Sequence, residues 1–276
     1  MSIELDGNLA LVGCGKMGFA MLSGWIAGGV PADRVIVQEP SPTEQVDTFC
    51  RARGIRCVAT LREAALAEPL AVAVMAVKPQ VMTDVLATVV PYVGTQTLIV
   101  SIAAGRTIAS FEAQVPASVA VIRTIPNTPA AIGRGITVCC GNSHVTADQQ
   151  TLCERLLAVV GEVGWVEDEG LIDAATAVSG SGPAYVFLVA EALAAAGVEA
   201  GLSPELARRL ADATVSGAGE LLRQSHDEPA QLRRDVTSPN GTTEAALRVL
   251  MAADGLGALM TKAVLAARDR SRELAN

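Results

Sequence analysis

The amino-acid sequence predicts an α/β protein, with a doubly wound sheet over residues 1–166 and an all-helical domain over residues 167–276. Three observations carry that reading. Short apolar runs alternate with helical patterns from Leu9 to Val166. A glycine-rich turn joins the first run to the first helix. From Asp168 onward Ala, Leu, Glu and Arg recur at helical spacing, and no run there reads as a buried strand.

The first run, Leu9-Ala10-Leu11-Val12, leads directly into Gly13-Cys14-Gly15-Lys16-Met17-Gly18 and then into Phe19-Ala20-Met21-Leu22. This is GxGxxG between a strand and a helix. The first glycine makes a tight turn, the second lets backbone approach a pyrophosphate, and the third permits close helix packing. The first half is therefore Rossmann-like, and Gly13, Cys14, Gly15, Lys16, Met17 and Gly18 are candidate dinucleotide-binding residues. Gly28-Gly29 and Pro31 stop the helix, and Arg34-Val35-Ile36-Val37-Gln38-Glu39 reads as a second strand. Glu39 stands where a ribose-recognising residue is expected. A carboxylate there accepts from the ribose 2′-OH and disfavours a 2′-phosphate. Ser41 or Arg56, both nearby, could hold a phosphate instead, and a plain solvated Glu39 is the third reading, so these residues leave NAD against NADP open.

The alternation continues with a helix over residues 43–53, a strand at Cys57-Val58, a helix over residues 62–67 and the buried strand Ala71-Val72-Ala73-Val74-Met75-Ala76-Val77. Lys78-Pro79 ends that strand at the carboxyl edge, where open α/β sheets bind ligands. Lys16 and Lys78 are two of only three lysines in the chain. Thr97-Leu98-Ile99-Val100-Ser101-Ile102 is the next strand, and Ala103-Ala104-Gly105 after it lets a flat ring lie close to backbone. Val119-Ala120-Val121-Ile122-Arg123 follows, ending in Thr124-Ile125-Pro126-Asn127-Thr128-Pro129. Gly135 to Cys140, a helix over residues 147–160 and Gly164-Trp165-Val166 complete the domain.

In the second half a helix begins near Glu169-Gly170-Leu171, is interrupted at Gly180-Ser181-Gly182-Pro183, and restarts over residues 184–200. Ser203-Pro204-Glu205 reads as an N-cap followed by proline, opening a helix to Gln224. A short helix over residues 229–236 precedes Thr237-Ser238-Pro239-Asn240-Gly241-Thr242-Thr243-Glu244, and two further helices begin near Thr243 and Gly257. The stretch from Ser238 to Thr243 is a tight loop feeding a helix N-terminus. Its free N–H groups, with the helix dipole behind them, suit a carboxylate or phosphate; an ordinary capped turn is the alternative. The many Ala and Gly residues give this half flat apolar faces, which predicts a homodimer.

Composition narrows the function classes. Half of the 276 residues are hydrophobic, the formal charge is −8 and the pI is about 4.9. Lys and Arg are scattered, which argues against a nucleic-acid surface. The six cysteines form no CxxC pair, so a reducing cytoplasm, free thiols and no metal site are expected. The start of the chain, Met1 to Asp6, carries acids where a signal peptide needs positive charge. The longest uncharged stretch, Ala174 to Ala190, holds Ser179-Gly180-Ser181-Gly182-Pro183 in its middle, which is expected to break it as a membrane span.

Read together, Gly13 to Gly18, Val77-Lys78-Pro79, Ser101-Ile102-Ala103-Ala104-Gly105, Pro126-Asn127-Thr128-Pro129, Val178-Ser179-Gly180-Ser181-Gly182-Pro183-Ala184-Tyr185 and Ser238-Pro239-Asn240-Gly241-Thr242-Thr243 make the chain resemble pyrroline-5-carboxylate reductases nearly end to end. The resemblance implies NAD(P)H-dependent reduction of 1-pyrroline-5-carboxylate to L-proline. It also implies a helical domain that forms dimers, often assembled into decamers. Carried over by position, it implies that Ser238, Gly241, Thr242 and Thr243 bind the substrate carboxylate, with Thr243 hydrogen-bonded to the ring nitrogen as the catalytic candidate. Glu169 is implied near substrate and nicotinamide. Gly13 to Gly18, Ser41, Arg56, Ala76, Val77, Lys78, Pro79, Ala103 and Ala104 are implied to line the cofactor, and Glu39 and Asn127 are further cofactor-binding candidates. Two departures stand out. Asn240 replaces a usual glycine, and Asn is the residue after glycine best able to adopt positive φ. Arg56 stands where asparagine is common and is able to pair bidentately with a phosphate, which favours NADPH, with NADH as the alternative.

Neither histidine is well placed for acid–base work: His144 falls in a loop and His226 in the polar stretch Ser225-His226-Asp227-Glu228. Two other readings compete. A β-hydroxyacid dehydrogenase shares the two-part plan but wants a catalytic lysine on a helix of the second domain, where the only lysine is Lys262, near the end. A non-catalytic NADP-binding sensor on the same fold is the other.

Overall fold

The computed structural model describes Ile3 and residues 5–275, so the expectation about Met1, Ser2 and Glu4 lies outside the described residues. Eight strands form one sheet: β1 (Leu9–Val12), β2 (Val35–Gln38), β3 (Arg56–Val58), β4 (Leu70–Met75), β5 (Val93–Ser101), β6 (Ala120–Ile125), β7 (Gly135–Gly141) and β8 (Gly161–Trp165). Their order is β3-β2-β1-β4-β5-β6-β7-β8. The reversal on either side of β1 is the doubly wound topology that the alternating pattern predicts. Every neighbouring pair is parallel except β6 and β7. A single 3₁₀ turn, Thr128–Ile132, separates those two, too short a connection for a parallel crossover.

Helices cover both faces because parallel strands have no side to leave in water. In β1, Leu9 and Leu11 join one core cluster with Met21, Leu22 and Trp25 of α1 (Lys16–Ala27), Val46 and Cys50 of α2 (Glu44–Arg53) and Leu156 and Leu157 of α5 (Ala147–Ala158). Ala10 and Val12, pointing the other way, join Met82 and Leu86 of α3 (Met82–Val89), Phe111 of α4 (Ile108–Glu112) and Ile172 of α6 (Leu171–Ala175). This period-two division persists across the central strands. The helices α3 and α4 were not anticipated. In α3 the signal is present, since Met82, Val85, Leu86 and Val89 recur at helical spacing. The expected helix over residues 62–67 is instead a 3₁₀ turn, Leu61–Ala64.

By compactness the chain divides into residues 1–180 with 268–276, and Ser181–Ala267. The first unit extends past the change of composition at residue 166 because α6 buries Ile172 completely in the second core cluster. The end of the chain also belongs to this unit: Ser271 Oγ donates to Asp173 Oδ1 at 2.7 Å.

The second unit contains α7 (Gly182–Glu199), α8 (Pro204–Gln224), α9 (Pro229–Asp235), α10 (Thr242–Leu250) and most of α11 (Leu256–Ala275). Ser203 caps α8 by accepting from the Leu206 N–H, with Pro204 in its first turn, as its sequence signature predicts. The Gly180–Pro183 interruption takes a different form from the one expected. Thr176–Gly180 is a π-helical turn, and α7 resumes at Gly182 with Pro183 in its first turn, where no intrahelical N–H is needed. The expectation that this run breaks an apolar span is therefore corrected: Leu171–Glu199 is long and apolar enough to cross a membrane by length and composition alone.

No residue of α7 is buried, and Phe187 (68 % exposed) and Leu188 (61 %) lie open with Val186, Val189 and Leu193. Against α8 it makes a close hairpin, with Gly197 beside Ala207. An apolar helix left this open on the side away from α8 is far from what a monomer tolerates.

Two outcomes are expected. Light scattering at micromolar protein returns at least twice the 28.4 kDa chain mass; a monomer alone contradicts the uncovered α7 face. Trp25 is fully buried and its Nε1 donates to the Leu156 carbonyl at 2.7 Å, tying α1 to α5. Trp25→Ala therefore lowers the stability of the sheet unit by about 3–5 kcal/mol in urea denaturation.

Candidate functional site

The carboxyl ends of the central strands open on a cavity of about 410 Å³, lined by the Gly13-Cys14-Gly15 turn, Gln38 and Glu39 at the end of β2, and Ala76, Val77 and Lys78 after β4. Gly13 is at φ 88° and donates its N–H to the Gln38 carbonyl at 2.8 Å. A Cβ on Gly13 would stand 2.7 Å from Val77 Cγ1 and 2.9 Å from the Ala76 carbonyl, so only glycine fits. Gly18 is equally confined, 2.8 Å from the Gly13 carbonyl, whereas nothing lies within 4 Å of the Cβ position of Gly15. Open backbone at the second glycine and crowding at the other two is the division of labour that a pyrophosphate at the start of α1 requires. The residues fit a dinucleotide.

Lys16, Met17, Gly18, Ser41, Pro79, Ala103 and Ala104, also expected to meet the cofactor, fall outside this lining. Lys16 is exposed at the first position of α1, and Met17 packs against the core instead of lining the cavity. Pro79 opens a 3₁₀ turn directly after Lys78. Ala103 is buried and Ala104 exposed beyond the end of β5. Glu39 is held at the edge of the turn: its Oε2 accepts from the Cys14 N–H at 2.9 Å and its Oε1 from the Ser41 N–H at 3.2 Å. Burial pushes the Cys14 thiol up to about 12, reinforced by the neighbouring Cys50, so it stays protonated and unreactive near neutral pH. All six cysteines are free.

One expected contact is corrected. Arg56 is the first residue of β3 and lies at the amino edge of the sheet, opposite the cavity. Its guanidinium donates to the Ala64 carbonyl at 3.1 Å, Asn8 Oδ1 at 3.2 Å and the Asp33 carbonyl at 3.5 Å. It braces the entries to β1 and β2 and is not available to a cofactor phosphate at the other edge. Asn127 is also engaged within the fold: its Nδ2 donates to the Ser179 carbonyl at 3.1 Å, and its Oδ1 accepts from the Ile136 N–H at 2.9 Å. Both sides of its amide serve as a brace between the β6–β7 turn and the π-helical turn.

Glu169 precedes α6, and its Oε1 accepts from the Ile108 N–H at 2.9 Å and from Arg123 Nη1 at 2.8 Å. Arg123, almost fully buried on β6, pairs in register with Ser101 at the carboxyl end of β5. Sequence reasoning saw Arg123 only as a strand residue. A buried cation on an otherwise apolar strand needs a partner, and that need was the available signal.

In the second unit, the loop before α10 is built as the residue types predict. Asn240 has φ 58°, the left-handed conformation that glycine usually supplies. The Gly241 N–H donates to the Ser238 carbonyl at 3.0 Å, and the Asn240 N–H to Glu244 Oε2. Gly241 is the N-cap of α10 and supplies no side-chain cap. The first turn of α10 is thus left with the N–H groups of Thr242, Thr243 and Glu244 for an outside acceptor, beside the hydroxyl-bearing residues Thr242, Thr243 and Ser238. The amides of Asn240 and Gly241 instead hold the loop shape.

The comparisons with known proteins agree with this arrangement in both halves. Residues 169–274 match the family model described as pyrroline-5-carboxylate reductase dimerisation, and residues 8–105 match that of the coenzyme F420-dependent NADP oxidoreductases. A pyrroline-5-carboxylate reductase of Pseudomonas aeruginosa is 43 % identical over 97 % of both chains. Among solved structures, a pyrroline-5-carboxylate reductase of Coxiella burnetii superposes with a TM-score of 0.89 at 36 % identity, covering 98 % of this chain and 99 % of that one. The Plasmodium falciparum pyrroline carboxylate reductase with NADP bound does so with 0.79 at 29 % identity, over 98 % and 99 %. With identity of this level over nearly the whole length of both chains, the chain belongs to the pyrroline-5-carboxylate reductase family.

Proposed function

We propose that this chain reduces 1-pyrroline-5-carboxylate to L-proline, the final step of proline biosynthesis, with NADPH as donor and NADH as the alternative. The observation that carries the reading is the loop Ser238–Thr243: a helix start without a side-chain cap, shaped by an Asn at positive φ, in a chain that also has a dinucleotide turn. The bound cofactor supplies a hydride to the C=N carbon and is oxidised, while the ring nitrogen takes up one proton. The protein's part is positioning. The Thr242 and Thr243 amides and the Ser238 hydroxyl receive the substrate carboxylate, so that the imine carbon is offered in one orientation. Thr243 directs its hydroxyl at the ring nitrogen. A threonine hydroxyl is too weak an acid to surrender its own proton unaided, so it orients the nitrogen and relays a proton from water, or the imine enters already protonated. Glu169, fixed through Oε1 by Arg123 and the Ile108 N–H, is the carboxylate that the family resemblance assigns to the nicotinamide side of the reaction.

The working assembly in this reading is a homodimer built on the apolar α7 face, with a decamer of such dimers as the larger form. That role accounts for the apolar helical stretch without a membrane. The six free thiols suit the cytoplasm.

Steady-state oxidation of NADPH in the presence of pyrroline-5-carboxylate tests the reading directly, since a cofactor sensor binds NADPH without turnover. Thr243→Ala is expected to lower kcat/KM by about tenfold to a thousandfold, the range for losing one positioned donor. Activity within about twofold of wild type would remove Thr243 from the mechanism.

A further inference from the structure

We propose that Arg123 is a positioning residue for the nicotinamide half of the cofactor: through the Glu169 carboxylate it fixes the start of α4, and with it the loop from Ile102 to Thr107 on which the ring lies. The inference rests on the reading of the chain as a nicotinamide-dependent reductase. In a doubly wound sheet the dinucleotide crosses the carboxyl edge, with its adenosine half on the side of β2 and its nicotinamide half on the side of β4 to β6. The loop leaves β5 at that edge. Its first residue, Ile102, donates its N–H to the Met75 carbonyl at 3.1 Å, directly before Ala76 of the cavity lining. Gly105 turns the loop at φ 70°, and Ala103 and Ala104 before it carry only methyl groups, so a flat ring is able to approach the backbone.

The far end of the loop is held by a single oxygen. Glu169 Oε1 accepts from the Ile108 N–H at 2.9 Å, the first amide of α4, and from Arg123 Nη1 at 2.8 Å. Arg123 is 2 % exposed and stands in register with Ser101, the last residue of β5, so the clamp is anchored on the strand beside the origin of the loop. Both ends of the loop are thereby tied to the sheet. The Arg123 Nε is buried without a partner among the described residues. A buried ion pair contributes little net stability over an apolar pair of similar size, and what it does supply is one fixed geometry. An arginine with an unsatisfied donor serves stability poorly here, but it aims a carboxylate at one helix start.

Fluorescence titration with NADPH, and competition by adenosine 2′,5′-bisphosphate as the adenosine half alone, measures the effect without turnover. Arg123→Met and Glu169→Ala are each expected to weaken NADPH by about tenfold and to leave the bisphosphate within about twofold. Because both act through one oxygen, the double variant is expected to bind no more weakly than the worse single one. Glu169→Gln, whose amide oxygen still accepts from both donors, recovers most of the loss seen in Glu169→Ala. Weakening of both ligands alike, NADPH binding as in wild type, no recovery in Glu169→Gln, or single effects that multiply in the double variant overturns the proposal. If these variants fail to fold, Ile108→Pro decides against Ile108→Ala. Both lose the buried side chain, but only proline removes the N–H that Glu169 accepts, at a first helical position where proline is tolerated. NADPH is expected to bind about tenfold more weakly to the proline variant, and equal binding overturns the proposal. Selective weakening of NADPH in a protein that does not turn over pyrroline-5-carboxylate keeps this inference and sinks the proposed reaction. Turnover with both ligands weakened alike does the reverse, and failure of the wild type to bind NADPH overturns both.

Discussion

The architecture depends on the close approach of backbone at Gly13. There β1 must turn into α1 within three residues while passing Ala76 and Val77 at the end of β4, and no side chain fits between them. The same residue donates to the Gln38 carbonyl, so one peptide group joins the ends of β1 and β2 while its neighbours face the cavity. The confinement aligns α1 with its N-terminus toward the ligand space. It also places Cys14, whose amide holds Glu39, at the rim. Site and core are thus parts of one packing solution, because the strands that bury both faces also end together at the edge where the ligand space opens.

Around that centre, polar side chains of the sheet unit are used mostly to fasten elements. Arg56 ties the amino edge of β3 to the segments entering β1 and β2. Asn127 ties the β6–β7 turn to the π-helical turn. Arg123 and Glu169 join β6 to the start of α6 and to the N-terminus of α4, with Arg123 almost wholly out of water. Removing one member of such a pair leaves a buried charge without compensation, a loss of about 3–5 kcal/mol. Glu169 therefore has a structural part whatever it contributes to chemistry.

The helical unit follows a different rule. Only Ala207 and Ala211 on α8 are buried among the described residues of α7 to α10, so these helices have little core of their own. In a single chain their apolar surface is left as an exposed face, the kind of surface that homo-oligomerisation covers.

Much of the fold and part of the site were legible in the residues themselves. Strands buried on both faces must be uninterrupted apolar runs, and Leu9–Val12 or Ala71–Met75 can scarcely be read otherwise. The GxGxxG turn and the Ser238–Thr243 loop were legible because positive φ, proline and helix starts restrict residue type locally, down to Asn240 at φ 58°. What only the tertiary structure decided concerns direction and partner. That β7 runs antiparallel depends on the length of a turn, and that a π-helical turn precedes α7 is set in the folded chain and has no signature in residue type. Arg56 was the instructive case. Its chemistry suits a phosphate, but its register against Ile36 sets it at the amino edge, and a side chain acts on whatever its strand end faces. Residue type determines what a group is able to bind; the sheet decides which edge it serves.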